Sequence, residues 1–122
     1  MSSSEQYFQR ARAIAAEGLY EYAIDLFLDG LRDDPGNIDA HQALREVSLK
    51  RKAGGGADLS MLVKMKLRKP GVDAVEDLLN IEKLLAYDPF NREWIAAAIR
   101  HADAAGLAAT KQWFFNVLGS VK

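Results

Sequence analysis

Two histidines, His41 and His101, are the side chains of this sequence best suited to proton transfer or metal binding at neutral pH. A metal pair on a helix needs a second ligand three or four residues further along, and neither histidine has one. We therefore expect His41 to be a packing residue and His101 to lie on a helix surface beside Asp103. No metal site is expected.

The glycine-rich run AGGGAD, residues 53–58, has the composition of a phosphate-binding loop but not its spacing. It contains neither G-x-x-x-x-G-K-[ST] nor a G-x-G-x-x-G between a strand and a helix, so a flexible linker is expected. Ser120 follows Gly119 without the G-x-S-x-G pattern of a nucleophile elbow. The carboxylate pairs at 33–34 and 76–77 fall at predicted helix ends, where a turn or the helix dipole explains them. We expect no catalytic residues, no cofactor and no enzymatic activity.

The chain has the composition of an ordinary globular domain, with 122 residues, 49% hydrophobic and 27% charged. Its formal net charge is −1, and it contains no cysteine, which fits a reducing compartment. The start MSSSEQYFQRAR lacks the apolar segment of a secretory signal, and no apolar run reaches the roughly 18 residues of a membrane span. These features predict a single domain over residues 1–122, located in the cytoplasm, with no membrane span.

Apolar residues recur at helical spacing in the first part of the chain. The serines at 2–4 can cap a first helix, and Gly18 ends it. Pro35 stops a second helix because proline lacks the backbone donor. Asn37 can cap a third helix, expected from about Ile38 to Lys52. The residues that mark the first two helices are Tyr7, Phe8, Ala11, Ile14 and Ala15, then Tyr20, Ala23, Ile24, Phe27, Leu28 and Leu31.

The stop-and-start signal Asp-Pro-x-Asn occurs twice, at residues 34–37 and 88–91. Two helices with a glycine between them and a proline after them form the unit of a helical repeat. The first unit resembles the tetratricopeptide repeat, whose 34 residues follow the pattern W-x2-L-G-x2-Y, then A-x3-F, then P. With Pro35 on the proline place, the corresponding places hold Tyr7, Ala11, Ile14, Ala23 and Phe27, and the leucine place holds Arg10 as a departure.

The two turns are 54 residues apart, which equals one 34-residue repeat plus an insertion of 20. The 88 residues from Gly18 to Gly106 equal two repeats plus the same insertion, so a third unit is in register. The glycine place of the second unit falls at Lys52, directly before the glycine-rich run. The later units are less regular, with Arg45, Asp77 and Lys111 at places that are normally small, although Ile81 and Phe115 keep the large apolar place.

The resemblance implies an all-α fold, a helical-repeat solenoid of three antiparallel helix pairs with a basic Gly-rich insertion. The repeats span residues 5–36, 37–90 and 91–118, and the insertion occupies 53–72. In such solenoids the first helices of the pairs form a concave surface. The resemblance therefore implies a non-enzymatic scaffold that binds a protein or peptide partner in this groove. The groove places correspond to Phe8, Arg12, Gln42, Glu46, Ala96 and Arg100.

The segment 50–70 is strongly basic, with seven lysines and arginines against one acid, Asp58, for a net charge of +6. The rest of the chain carries nine basic and sixteen acidic residues, a net charge of −7. Three interpretations stay open: a basic arm lying on the acidic helices, a site for an acidic partner or anionic surface, or a short strand pairing across a dimer. The strand would use Val63, Met65 and Leu67, but a helical turn fits the same residues.

An alternative function follows from this charge separation: a regulatory module recruited to an acidic partner or an anionic surface through residues 50–70. The basic side chains of the insertion that would carry it are Lys64, Lys66, Arg68 and Lys69. Nucleic acid is not an expected partner, because the segment contains no aromatic residue to stack on bases.

The last predicted helix, in TKQWFFNVLGSVK, carries apolar side chains on more than one face. A terminal repeat helix needs a polar outer face, so an apolar surplus indicates an interface. Three explanations are open: further helices follow, the edge packs on a second copy or a partner, or the helix folds inward under the insertion. If the edge packs on a second copy, the chain would form a homo-oligomer through Trp113, Phe114 and Val117.

Overall fold

The computed structural model describes residues 2–122, which form seven α-helices and no strand. The prediction of an all-α fold is confirmed. The helices are α1 (Ser3–Ala16), α2 (Tyr20–Asp33), α3 (Ile38–Ala53), α4 (Met61–Leu67), α5 (Ala74–Tyr87), α6 (Arg92–Ala104) and α7 (Ala108–Ser120). Among the described helices, none is long and apolar enough to cross a bilayer.

Consecutive long helices pack against one another along the chain. α1 contacts α2 and α3, α2 also contacts α3 and α5, and α5 contacts α3 and α6. The short helix α4 contacts only α5. At the far end α6 packs on α7, and α3 contacts α7 but not α6 within the described chain.

The core consists of two clusters of buried side chains that share one helix. The first is centred on Phe27 and Leu31 of α2, both 0% exposed. The second is formed by α5, α6 and α7 around Leu84, Ile95 and Phe114. Because α5 contributes Leu79 and Ala86 to the first cluster and Leu78, Ile81, Leu84 and Leu85 to the second, it joins the two halves of the molecule.

The two Asp-Pro-x-Asn turns have nearly the same geometry. The side chain of Asn37 accepts a hydrogen bond from the amide of Ala40 at 3.0 Å and donates one to Asp34 at 3.1 Å. Asn91 does the same with Trp94 and Asp88, at 3.0 and 3.2 Å. Each asparagine thus satisfies a free amide at a helix start, and the predicted stop-and-start role is confirmed in both turns.

The helices α1, α3 and α6 end at a glycine in the left-handed region, Gly18, Gly55 and Gly106, with φ of 82°, 84° and 73°. In each case the glycine amide and the next amide donate to carbonyls of the preceding turn, the bonding of a Schellman cap. The prediction that the second glycine place falls at Lys52 is wrong. Helix α3 has 16 residues against 14 in α1, so it passes Lys52 and ends before Gly55.

The insertion forms a short helix. Ser60 caps α4 by accepting a hydrogen bond from the amide of Val63 at 3.3 Å, and the helix runs from Met61 to Leu67. The strand interpretation of Val63 to Leu67 is therefore wrong. The run AGGGAD contributes the last residue of α3, its capping turn and part of the loop before α4.

Candidate functional site

A cleft opens between α1 and α3. It has a volume of about 200 Å³, with Arg12, Glu46 and Lys50 at its rim. Its apolar wall and floor include Phe27, 0% exposed, and Val47, 6% exposed. The remaining lining residues are Ala15, Ala16 and Ala43. The cleft thus combines a charged rim with an apolar base.

The sequence creates this cleft by placing small side chains where α1 and α3 face each other. Ala15 and Ala43 leave space that larger residues would fill, while Phe27 of α2 closes the base. α2 contacts both helices and therefore fixes their separation. The cleft therefore results from the small side chains of Ala15 and Ala43, held apart by the packing of α1 and α3 on α2.

The charges at the rim have no ionic partner of their own in residues 2–122. Arg12, Glu46 and Lys50 are exposed, and none of them takes part in a described salt bridge. A ligand carrying charges of both signs could therefore pair with them without breaking an existing contact.

The predicted groove residues are only partly brought together. Arg12 and Glu46 line the cleft, and Gln42 lies exposed on α3. Phe8 does not line an open surface, because it is 3% exposed and stacks on Phe27 with ring centroids 6.4 Å apart. Its ring also occupies the space above Gly30, where a Cβ would lie 2.4 Å from the phenyl ring.

The third predicted unit contributes nothing to the cleft. Arg100 is exposed on α6 and Ala96 is half-buried there, but α6 contacts neither α1 nor α3. Among α6 and α7, it is α7 that contacts α3. His101, on the same helix, is half-buried, and the neighbouring Asp103 pairs with Lys111 at 3.0 Å.

His41 and Glu82 form a buried contact in the interior and not in an open site. His41 Nδ1 donates to Glu82 Oε2 and Nε2 donates to the carbonyl of Pro35, each at 2.7 Å. Because both ring nitrogens face oxygen atoms, these contacts favour the protonated form of the ring. Burial disfavours that charge most strongly, but the Glu82 carboxylate, the Pro35 carbonyl and Asp34 together raise the pKa of His41 above 6.5.

The role of His41 in packing was predictable, but its partner was not. The ring is 0% exposed and lies 5.8 Å from the rings of Trp113 and Phe114. Glu82 is 4% exposed on an otherwise apolar stripe of α5. A glutamate among leucines was the only signal in the sequence, and it did not identify His41 as the residue opposite.

A small cavity of about 20 Å³ adjoins this pair, lined by Arg45, Ser48, Glu82 and Trp113 among others. Oε1 of Glu82 has no hydrogen-bond partner among the described atoms, and the volume suits one water molecule. Ser48 and Arg45 donate instead to the carbonyls of Ala86 and Pro89, at 2.8 and 3.0 Å. The cavity is too small for a substrate. The described residues also contain no group of three potential ligands placed to hold a metal ion.

The surface of α4 is apolar on two sides. Leu59 and Leu67, at the ends of this segment, pack against the second core cluster. Met61, Leu62 and Met65 point outward and are 66%, 73% and 53% exposed. Of the basic residues expected here, Lys64 pairs with Asp58, whose pKa is lowered chiefly by that hydrogen bond. The others, Lys66, Arg68 and Lys69, are exposed.

The apolar edge expected on the last helix is largely internal. Phe114 and Val117 are 2% and 8% exposed, and Trp113 is half-buried against His41 and Phe114. Phe114 and Val117 do not form an exposed edge, because α7 turns them toward the second core cluster. The large apolar side chain that α7 leaves outside is Phe115, 47% exposed.

Comparison of this chain with protein-family models, with curated proteins and with solved structures gives no match. The class of protein is therefore defined by the structure itself. Over residues 2–122 it is an all-α chain with a charged cleft between two helices and a basic helical insertion.

Proposed function

We propose that the chain is a non-enzymatic protein-interaction module of the tetratricopeptide type, which binds a peptide or helix in the cleft between α1 and α3. The observation that carries the proposal is the cleft itself. Arg12, Glu46 and Lys50 stand over an apolar base that includes Phe27, and none of the three is neutralised within the described chain.

The repeated turns support a repeat architecture. Gly18, Gly55 and Gly106 end three helices with the same bonding, and Asn37 and Asn91 start two with the same cap. Equal local geometry at matching places in the chain is the mark of one structural unit used several times. In this proposal the groove is formed by α1 and α3, because α6 contacts neither of them within the described chain.

The cleft selects for a particular ligand chemistry. Arg12 and Lys50 can pair with acidic side chains, and Glu46 with a basic one. The alanines at its wall admit a small or slender apolar side chain into the space above Phe27. The preferred ligand is therefore a short segment that presents an apolar anchor between acidic and basic residues.

The remaining polar groups fit a scaffold better than a catalyst. His41 is 0% exposed and both its nitrogens are already bonded, so no substrate can reach it. A general base has to lie within hydrogen-bond reach of the proton it takes. Binding is therefore the activity we propose.

Selection from a random peptide-display library tests the proposal. Peptides that bind the chain should lose roughly tenfold or more in affinity with Arg12→Glu, because the substitution reverses a charge at the cleft rim. Arg100→Glu is the matched control, since Arg100 is an exposed arginine outside the cleft. Selected peptides whose binding is insensitive to Arg12→Glu, or lost equally in both variants, would contradict a role for this cleft.

A second candidate function is recruitment to an acidic partner or anionic surface through residues 50–70. The observation that favours it is the exposed apolar and basic surface of α4, where Leu62 is 73% exposed and Lys66 has no described ion pair. Loss of peptide binding on removal of the insertion, with Arg12→Glu harmless, would favour this function over the first.

A further inference from the structure

The insertion helix α4 has two apolar sides and only one is used by the fold. At about 100° per residue, Met61, Met65 and Leu62 fall within one arc of roughly 100°, while Val63 and Leu67 lie on the opposite side. The inner side faces α5, where Leu67 packs against the core. The outer side has no cover in the described chain, and Leu62 is 73% exposed.

The orientation of α4 is fixed by contacts within its own segment. Ser60 caps its first turn, and Lys64 bonds to Asp58 in the preceding loop. Leu59 before the helix and Leu67 at its end are anchored against the second core cluster. These contacts leave Met61, Leu62 and Met65 no route into the core without rebuilding the segment.

Basic side chains surround the exposed apolar arc. Lys64 and Lys66 lie at its two borders on the helix, and Arg68 and Lys69 follow directly after the last turn. Lys66, Arg68 and Lys69 form no described ion pair. A basic arm lying on the acidic helices would pair them with acids of α1, α2 or α5, and no such pair is seen for these residues.

We infer that this surface, defined by Met61, Leu62, Met65, Lys66, Arg68 and Lys69, binds the anionic face of a lipid bilayer. Apolar side chains flanked by lysine and arginine let a helix lie in the interface, with the apolar groups among the acyl chains and the cations at the headgroups. Clustered basic residues on such a helix favour anionic lipids. The inference rests on the second candidate function, whose anionic surface it identifies as a lipid bilayer, and it is independent of the proposed peptide cleft.

The shape of the surface favours a bilayer over an acidic protein segment. A protein partner buries its anchors in a groove, as in the cleft between α1 and α3. Met61 and Leu62 instead stand out from the helix, 66% and 73% exposed, and Val72 beyond it is 90% exposed. A fluid interface can surround such separate side chains, whereas a folded partner would need a matching pocket for each.

The charge of the rest of the chain sets a condition on binding. Outside residues 50–70 the net charge is −7, which an anionic surface repels. At physiological salt the screening length is about 8 Å, so only charges near the membrane act strongly. Binding should therefore be salt-sensitive and should occur in one orientation, with α4 against the lipid.

Co-sedimentation with phosphatidylcholine vesicles, with and without phosphatidylserine, tests the inference. The intact chain should bind only the vesicles that contain phosphatidylserine, and binding should weaken as salt is added. Lys66→Glu and the double change Leu62→Ser with Met65→Ser should each lower the partition coefficient roughly tenfold or more. Arg100→Glu and Phe115→Ser are matched controls on other helices and should stay close to the intact chain.

Three results would overturn the inference. One is no binding that depends on phosphatidylserine. A second is binding that Lys66→Glu weakens but the serine variant leaves unchanged, because the apolar arc then plays no part. The third is binding to polyglutamate without binding to vesicles, which would assign the surface to an acidic polypeptide. Thermal unfolding of each variant checks that it is folded.

Discussion

The imidazole ring of His41 lies in the interior of the protein, with Glu82 and the Pro35 carbonyl each 2.7 Å from its nitrogens. The pair connects α3, α5 and the turn before α3, and the aromatic rings of α7 lie against it. Such a pair contributes little if it is formed, but removing one member leaves an uncompensated buried charge. The contact between His41 and Glu82 is therefore a titratable link between α3 and α5.

Stability should depend on pH through this pair. Because the pKa of His41 is raised in the folded chain, its stabilisation is fully present below the ordinary value of 6.5 and is lost as pH rises through the folded pKa. We expect the free energy of unfolding, measured with urea between about pH 6 and about pH 9, to fall with rising pH above neutrality. Glu82→Gln should cost about 3–5 kcal/mol near neutral pH and reduce the slope, because His41 then loses the partner of its buried charge.

His101→Gln is the control for this measurement, because His101 is half-buried and has no described bond to a carboxylate. That variant should keep the pH dependence of the intact chain. A free energy of unfolding that does not change over the interval, or a slope that survives Glu82→Gln, would show that the pair does not act in this way.

Single residues of the site were predicted unevenly, for a physical reason. Arg12 and Glu46 were assigned to the groove by their place in the repeat, and they line the cleft. Phe8 was assigned by the same rule but is buried, because Gly30 leaves a space opposite that its ring fills. A place in a repeat indicates the direction of a side chain, whereas the size of its neighbour decides whether it stays exposed.

Two adjacent glycines at the end of helix α3 differ in backbone conformation. Gly55 has φ of 84°, a conformation that a residue with a Cβ adopts only with strain, while Gly54 has φ of −82°. Gly55→Ala should therefore lower the free energy of unfolding by about 1–2 kcal/mol. Gly54→Ala should be neutral or slightly stabilising, since its Cβ would meet only ordinary contacts, the nearest at 3.5 Å.

Urea unfolding of the two alanine variants provides the comparison. Equal effects of Gly54→Ala and Gly55→Ala would contradict the assignment of the left-handed cap of α3 to Gly55. Gly18 and Gly106 have the same left-handed conformation at the ends of α1 and α6, so alanine at either position should have the same effect as Gly55→Ala.

The helices were predictable where a cap and a long apolar stripe coincide. Asn37 and Asn91 start helices as expected because the signal is local to four residues. The segment of α4 is too short for its period to separate a helix from a strand, so both interpretations stayed open. Ser60, three residues before the amide that it caps, was the local signal that could have decided it.

At the scale of the molecule, the contact between α3 and α7 could not be read from the sequence. Repeat spacing predicts which helices pair along the chain, but the rotation of one pair against the next depends on packing of many side chains. The apolar surplus of α7 was visible, and burial of Phe114 and Val117 now accounts for much of it. The repeat period indicated the helix order but not the position of the third pair.

Two neighbouring phenylalanines of α7 separate packing from self-association. Phe114→Ala should lower the free energy of unfolding by about 3–5 kcal/mol, because Phe114 is 2% exposed in the second core cluster. Phe115→Ala should change stability by no more than about 0.5 kcal/mol, since Phe115 is 47% exposed. Light scattering across a concentration series then reports the oligomeric state of each variant.

If the chain self-associates through α7, we expect Phe115→Ala to lower the mass in solution while the fold stays intact. A dimer that persists in Phe115→Ala but dissociates in a folded Phe114→Ala would contradict the burial seen here. Both substitutions remove a phenyl ring, and the two positions are adjacent. A difference in stability or mass between the two variants can therefore be attributed to the difference in exposure of the two rings.

Because α5 contributes side chains to both core clusters, it couples the unfolding of the two halves of the chain. Helical arrays whose neighbours meet only in sequence lose order stepwise from their ends, each unit melting with its own midpoint. Here α5 supplies Leu79 to the first cluster and Leu78 to the second. If either cluster unfolds, the buried apolar side chains of α5 that belong to it become exposed to water. The molecule should therefore unfold as one cooperative body, with fraying confined to α4, which contacts only α5 and contains no buried residue.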